Sequence, residues 1–134
     1  MKDNINTKAN ILYLTRNGLL EPLGYSQVMS YLRGLSKFYN ITLISYEKDH
    51  DLKKKDFLEK TNSECMEHRI RWLPQSFQYF PKNIAPLISI LQMFLLIRHE
   101  NRREKINLIH ARSYVPAFVA LLVKKFIGIP FIFD

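Results

Sequence analysis

Two short stretches of the chain carry side chains that could bind and transform a polar ligand. The first is His110-Ala111-Arg112-Ser113, in which an imidazole and a guanidinium lie two residues apart. Arg112 could clamp a phosphate or a carboxylate, and His110 could act as a base or hydrogen-bond a sugar hydroxyl. A histidine that only bonds neighbouring loop backbone would leave the same pattern, so both interpretations stay open.

The second stretch is the segment 16–26, which reads RNGLLEPLGYS. Its glycines are not spaced as GxGxxG, so the segment does not predict a dinucleotide fingerprint. A helix is expected to follow it, with Ser26 as the cap, and the free N–H groups at such a helix start favour an anion. Gly24 would permit close approach of the backbone to a ligand. The alternative is that Gly18 and Gly24 only make turns.

The elements that must position these stretches alternate along the chain. Short apolar runs predict strands at residues 10–15, 41–46, 66–73, 107–111 and 131–133. Helical spacing of apolar residues predicts helices at residues 25–38, around 52–60, from a cap at Asn83 to about Lys105, and at 114–127. Residues 74–82, rich in aromatic side chains, are expected to form a loop.

Five strands alternating with four helices predict an α/β fold, a Rossmann-like doubly wound parallel sheet with helices on both faces. Ligands bind outside the carboxyl ends of the strands in such sheets. Three places therefore matter: the loop after the first strand, the end of the fourth strand, and Asp134 after the fifth.

Composition and net charge limit the classes of partner that the chain could bind. The 134 residues are 47% hydrophobic and 24% charged, which fits one soluble-type domain over residues 1–134. The net charge of +8 suits nucleic acid, a phosphate-bearing small molecule or an anionic membrane. Because no groove-reading motif is present, we expect no nucleic-acid partner.

The segment 84–97 is apolar nearly all round and leads directly into Arg98, Arg102, Arg103 and Lys105. It is too short and too interrupted to predict a membrane span. The apolar helix and its basic end could together lie on an anionic bilayer surface. The alternative is a helix buried between the sheet and a partner domain.

The lone cysteine, Cys65, cannot form an internal disulfide, and the start MKDNINTKAN lacks the apolar region of a signal peptide. Both features predict a cytoplasmic protein with a buried, inert thiol. The last residues, PFIFD, predict a strand leading toward a functional loop. We therefore expect the chain to be part of a larger protein.

Several segments in order resemble the N-terminal domain of family 4 glycosyltransferases, which have the GT-B fold. They are NGLLEPLGYSQVMSYLRGLSK, ITLISYEK and IHARSYVPAFVALLVKKFIGIPFIFD. The resemblance implies two Rossmann-like domains facing a cleft, of which the N-terminal one binds the acceptor. The C-terminal one binds a nucleotide-sugar donor. It further implies retaining transfer to a saccharide or lipid-linked acceptor, in polysaccharide or cell-envelope synthesis, with no metal.

The resemblance also implies roles for individual residues. The family's first loop lies near the donor phosphates and the acceptor, and Gly18, Glu21 and Gly24 occupy that loop here. A family histidine at the end of the fourth strand lines the cleft, and His110 matches it. Many members have a second histidine where this chain has Arg112, and the adjacent glycine pair of the first loop is absent. The candidate catalytic residue is His110, and the candidate substrate-binding residues are Gly18, Glu21, Gly24, Ser26, Arg112 and Ser113.

The donor-binding domain is not among these residues, so we expect the chain alone to be inactive. Its expected partners are a sugar or lipid-linked acceptor, a C-terminal domain or separate donor subunit, and an anionic membrane surface, to whose inner face the protein would bind peripherally. A hypothesis from another class is a non-catalytic module for membrane docking or subunit pairing. If His110 faces an anionic acceptor, binding should strengthen as the imidazole gains its proton near pH 6.5.

Overall fold

The computed structural model describes residues 8–76 and 82–134. Its strands are β1 (Asn10–Thr15), β2 (Asn40–Glu47), β3 (Ile70–Ser76), β4 (Leu108–Arg112) and β5 (Phe131–Phe133). Its helices are α1 (Pro22–Gly24), α2 (Ser30–Leu35), α3 (Asp49–Leu52), α4 (Lys55–Glu67), α5 (Ala85–Arg103) and α6 (Tyr114–Phe126). A π-helical turn, Tyr25–Met29, joins α1 to α2 without a break.

The five strands form one sheet in the order β3-β2-β1-β4-β5, and every neighbouring pair is parallel. The chain moves outward from β1 to β3 and then returns to place β4 on the other side of β1. This is a Rossmann-like doubly wound sheet, which confirms the predicted fold class. The reversal puts the topological switch point, where such sheets bind ligands, between β1 and β4.

Alternate residues of β1 enter two separate cores. Ile11 and Tyr13 pack on the side covered by α2 and α4, while Leu12 and Leu14 pack on the side covered by α5 and α6. A parallel strand buried on both faces is apolar at nearly every position. The apolar runs in the sequence are therefore the signature of a sheet with helices on both faces.

The third strand differs from its prediction at both ends. The helix before it continues to Glu67, because Thr61 and Cys65 are buried one helical turn apart. The strand then extends through Pro74 to Ser76, although the sequence predicts a loop from residue 74. Proline is tolerated there because β3 is an edge strand. The rest of the predicted aromatic loop, 77–81, lies outside the described residues.

Two predicted helix caps are wrong. The first helix begins at Pro22, a residue favoured at this position, and Glu21 occupies the cap position. Ser26 lies inside the π-helical turn, where its hydroxyl donates to the Leu23 carbonyl oxygen at 3.1 Å. Helix α5 begins after Ile84, so Asn83 is not its cap. The continuous helical run of α1, the π-helical turn and α2 ends at Leu35, earlier than the predicted end at residue 38.

Helix α5 is buried on one side only. Its buried residues recur every three or four positions, which defines a single helical face against the sheet; they are Ala85, Ser89, Met93, Ile97 and Glu100. The other side of the helix is exposed in this chain. Its burial against a partner domain therefore stays a prediction. Within residues 8–76 and 82–134, no helix is long and apolar enough to cross a membrane.

Candidate functional site

The carboxyl ends of β1 and β4 meet at the switch point and bring several side chains together. Tyr13 pairs with His110 and Thr15 pairs with Arg112 in the register of these strands. Asp134 joins them from β5, since its N–H donates to the Ala111 carbonyl oxygen at 2.9 Å. His110, Arg112 and Asp134 therefore share one edge of the sheet.

His110 is buried against two tyrosine rings, and one of its ring nitrogens has no hydrogen-bond partner among the described residues. It is only 5% exposed, with ring centroids 4.6 Å from Tyr13 and 5.4 Å from Tyr31. Its Nε2 has no hydrogen-bond partner among the described residues. The Asp134 carboxylate lies 3.6 Å away, which is too long for a hydrogen bond. The site therefore holds a buried nitrogen that a ligand hydroxyl could engage.

Burial lowers the pKa of His110 below its usual value of 6.5. The Asp134 carboxylate opposes this shift and the Arg112 guanidinium adds to it. The imidazole is accordingly neutral at pH 7, and a neutral ring can accept a hydrogen bond at one nitrogen. The His110 imidazole therefore gains its proton at a lower pH than the value near 6.5 that the sequence predicts.

Arg112 lies half-buried at the mouth of the site. One of its guanidinium nitrogens donates a hydrogen bond to Gln27 Oε1 in the π-helical turn. Such turns are rare and recur at functional sites. The turn thus orients the guanidinium over the same strand end that carries His110.

Ser113 has a backbone conformation that side chains rarely adopt, with φ 77° and ψ 170°. A non-glycine residue in this region stores about 1–3 kcal/mol of strain, and such residues cluster at functional sites. Two backbone hydrogen bonds hold it: its N–H donates to the Asp134 carbonyl oxygen at 3.0 Å, and its carbonyl accepts from Ala117 at 3.1 Å. Its hydroxyl makes no capping bond to α6.

Glu47, which sequence reasoning missed, anchors the loop after β1. It is fully buried at the end of β2. Its carboxylate accepts hydrogen bonds from the Leu19 N–H at 2.7 Å, the Leu20 N–H at 3.1 Å and the Ser45 hydroxyl at 2.7 Å. Trp72 Nε1 donates in turn to Ser45 Oγ at 2.8 Å. The only signal in the sequence is an acidic residue directly after the apolar run ITLISY.

Burial raises the pKa of Glu47 above the usual 4.5. The hydrogen bonds from Ser45 and from the backbone of Leu20 and Leu19 act in the opposite direction, and the charge of Asp51 adds to the rise. The hydroxyl and backbone N–H donors therefore stabilise the ionised carboxylate, but they do not fully offset the cost of removing its charge from water.

The two glycines of the loop are explained by internal packing. A Cβ on Gly18 would overlap the Glu47 carboxylate, and a Cβ on Gly24 would overlap the carbonyl oxygen of Gly18. Glu21 lies on the same side, with its carboxylate 3.1 Å from Lys48 Nζ. The predicted site residues thus fall into two groups, one against the end of β2 and one, His110 to Ser113, at the end of β4. Ligand binding by either group stays a prediction.

Neither a metal centre nor a reactive thiol is found among the described residues. In the described part of the chain, no cluster of three or more histidine, cysteine, aspartate and glutamate side chains could hold a metal ion. Cys65 is 1% exposed, and burial raises the pKa of its thiol to about 12. A thiol of that kind is inert at neutral pH.

Comparison with known proteins bears on the fold alone. No family model matches the chain, and no curated protein matches it. The chain is similar to a solved structure, the C-terminal domain of PF1911 hydrogenase from Pyrococcus furiosus, with a TM-score of 0.62. The similarity covers 96% of this chain and 92% of that one at 17% sequence identity. At this identity the two share an architecture, and nothing further follows about activity.

Proposed function

We propose that this chain is the acceptor-binding, N-terminal part of a GT-B glycosyltransferase that moves a sugar from a nucleotide-sugar donor to a saccharide or lipid-linked acceptor. The observation that carries the proposal is the buried Nε2 of His110 at the switch point, which has no hydrogen-bond partner among the described residues. A buried, neutral nitrogen without a partner is costly, and a ligand hydroxyl would satisfy it.

The groups around His110 suit a sugar with an anionic substituent. The rings of Tyr13 and Tyr31 hold the imidazole in place, and the Arg112 guanidinium offers a bidentate donor for a phosphate. The Asp134 carboxylate lies close enough to stabilise an imidazolium if the ring takes up a proton. The acceptor hydroxyl would therefore bind at His110 and its phosphate at Arg112.

In the transfer itself, the acceptor oxygen bonds to the anomeric carbon of the donor sugar, and the bond from that carbon to the diphosphate breaks. The acceptor proton leaves with His110 or with the diphosphate. The donor is expected on a C-terminal domain or a separate donor subunit. We place the assembled enzyme in the cytoplasm, peripherally on the inner face of the membrane, in polysaccharide or cell-envelope synthesis.

The test is a titration of the ¹⁵N-labelled chain with glucose 1-phosphate and with glucose, followed by NMR. We expect shifts at the amides of His110, Arg112 and Ser113, and weaker binding of the uncharged sugar. Because a charge-assisted hydrogen bond contributes about 1.5–3 kcal/mol, Arg112→Ala should weaken binding of the phosphate about tenfold or more.

Arg98→Ala is the matched control, since it removes an exposed arginine of α5 and should leave binding unchanged. Absence of shifts at these amides at millimolar ligand would refute the site. Sugar transfer by the 134 residues alone, above the buffer blank, would refute the assignment of the chain to the acceptor half.

A further inference from the structure

Helix α5 exposes a stripe that is apolar at one end and basic at the other. Leu87, Leu91 and Leu95, spaced by four residues, are 64%, 57% and 49% exposed. Arg98 and Arg102 continue the stripe, because residues three and four apart lie on the same side of a helix. At 1.5 Å per residue the stripe is about 22 Å long.

Helix α6 extends this apolar surface. Its exposed side carries Phe118, Leu121 and Phe126, and Phe126 meets Phe94 of α5 edge to face at 6.4 Å. The groove between the two helices is lined only by apolar side chains, namely Leu87, Ile90, Leu91, Phe94, Leu122 and Phe126. A contiguous exposed patch of this kind marks an interaction site more often than scattered apolar residues do.

The exposed charged side chains of these two helices are all cationic. Both helices run from the carboxyl edge of the sheet to its amino edge, so their basic ends lie at the same edge; the exposed cations are Arg98, Arg102, Arg103, Lys124 and Lys125. The acidic residues between 85 and 127, a stretch described throughout, are Glu100 and Glu104. Glu100 is buried beside Arg71 and Arg103, and Glu104 lies 3.7 Å from Arg103. The surface thus presents cations with no free carboxylate among them.

We propose that this exposed surface of α5 and α6 docks the protein on an anionic lipid bilayer. The leucines and phenylalanines would enter the interface between headgroups and acyl chains, and the cations would lie at the lipid phosphates. A second copy of the chain fits less well, because it brings the same cations and no carboxylate to pair with them. The inference goes beyond sugar transfer and stands whether or not the protein moves a sugar.

Cosedimentation of the whole chain with vesicles tests the proposal. We expect binding to vesicles of phosphatidylcholine with a quarter phosphatidylglycerol at 50 mM NaCl, and weak binding to pure phosphatidylcholine. Screening should weaken the binding at 500 mM NaCl. Removing one cation near an anionic surface reduces affinity roughly fivefold, so Lys124→Gln with Lys125→Gln should reduce it about 25-fold. Leu87→Ser with Leu91→Ser should reduce it about tenfold or more.

The opposite side of the sheet supplies matched controls. Leu23 and Phe38 are 66% and 69% exposed there, and their replacement by serine should leave vesicle binding unchanged. Lys53, directly after α3, and Lys55, the first residue of α4, are both exposed, and Lys53→Gln with Lys55→Gln removes the same charge as the α6 pair. All these side chains are exposed, so circular dichroism should show a native fold for every variant.

Three results would overturn the docking surface. They are the absence of sedimentation with anionic vesicles at low salt, an equal loss of binding in the control variants, and a dimer in sedimentation velocity that the leucine double variant dissociates. The last result would make the face an interface between protein molecules. The vesicles contain no sugar, so these outcomes are independent of acceptor binding at His110.

Discussion

Replacement of Glu47 by alanine should destabilise the protein strongly, although the residue lies in no predicted site. The substitution removes three hydrogen bonds and leaves the buried N–H groups of Leu19 and Leu20 without an acceptor. Each unsatisfied buried donor costs about 1–3 kcal/mol. Part of this loss is offset, because the native carboxylate is itself desolvated. We expect a net loss of about 3 kcal/mol, a large share of the roughly 5–15 kcal/mol of a typical domain.

Urea unfolding followed by circular dichroism measures this loss. With a slope of about 2 kcal/mol per molar, the midpoint should fall by roughly 1.5 M. Glu21→Ala is the matched control, because it removes a glutamate from the same region that makes only a partly exposed ion pair with Lys48. Such pairs contribute about 0–1 kcal/mol. Equal midpoints for the two variants would refute the anchoring of the loop by Glu47.

The pH dependence of stability gives a second measure of the same carboxylate. Its pKa is raised in the folded state, so folding favours the protonated form. The contribution of Glu47 to stability is therefore fully present below the unfolded pKa, near the usual 4.5, and is lost as the pH rises through the folded pKa. The difference between the stability curves of the native chain and Glu47→Gln should show this fall, and a flat difference would contradict the direction of the shift.

Three further predictions concern other buried groups. The His110 imidazole should titrate below pH 6.5 by NMR, and its contribution to stability, present above pH 6.5, should be lost as the pH falls through the folded pKa; a midpoint above 6.5 would contradict its burial. The Cys65 thiol should resist iodoacetamide in the native protein and react in urea, and rapid native labelling would refute this. Gly24→Ala should destabilise the protein by at least about 1 kcal/mol because its Cβ meets Gly18, whereas Gly34→Ala, with open space around it, should stabilise helix α2 by about 0.5–1 kcal/mol. Equal thermal midpoints for these two variants would contradict the close packing of the loop.

The strands could be predicted because a strand buried on both faces gives a continuous apolar run in the sequence. β1 and β5 begin and end where the apolar runs do. The end of α4 could not be predicted, because Thr61 and Cys65 continue a helical pattern whose core partners lie on other elements. The sequence around Pro74 predicts the end of a strand, because proline has no N–H to donate to a neighbouring strand. The strand continues through Pro74 because β3 lies at the edge of the sheet.

The position of the candidate site could be predicted from the sequence, but several of the side chains that build it could not. A parallel sheet fixes which strand ends meet, so His110 and Arg112 could be placed at the ligand-binding edge. The contact of Tyr13 with His110 depends on the pairing of β1 with β4, which the sequence does not specify. Glu47 was missed for a similar reason, because its backbone partners are 27 and 28 residues away.

The central position of β1 also sets the order in which the chain can fold during synthesis. β1 can pair with β2 soon after both leave the ribosome, but its other edge stays unpaired until β4 has been synthesised. The hydrogen bond from the Asn10 N–H to Asn107 Oδ1, for example, joins residues 97 positions apart. At about 5–20 residues per second, the stretch 48–107 between β2 and β4 takes on the order of 3–12 seconds to synthesise. For that interval β1, which is buried at five of its six positions in the finished fold, has one unpaired edge. An unpaired apolar edge is a template for pairing with other nascent chains, so this interval is the one most exposed to aggregation.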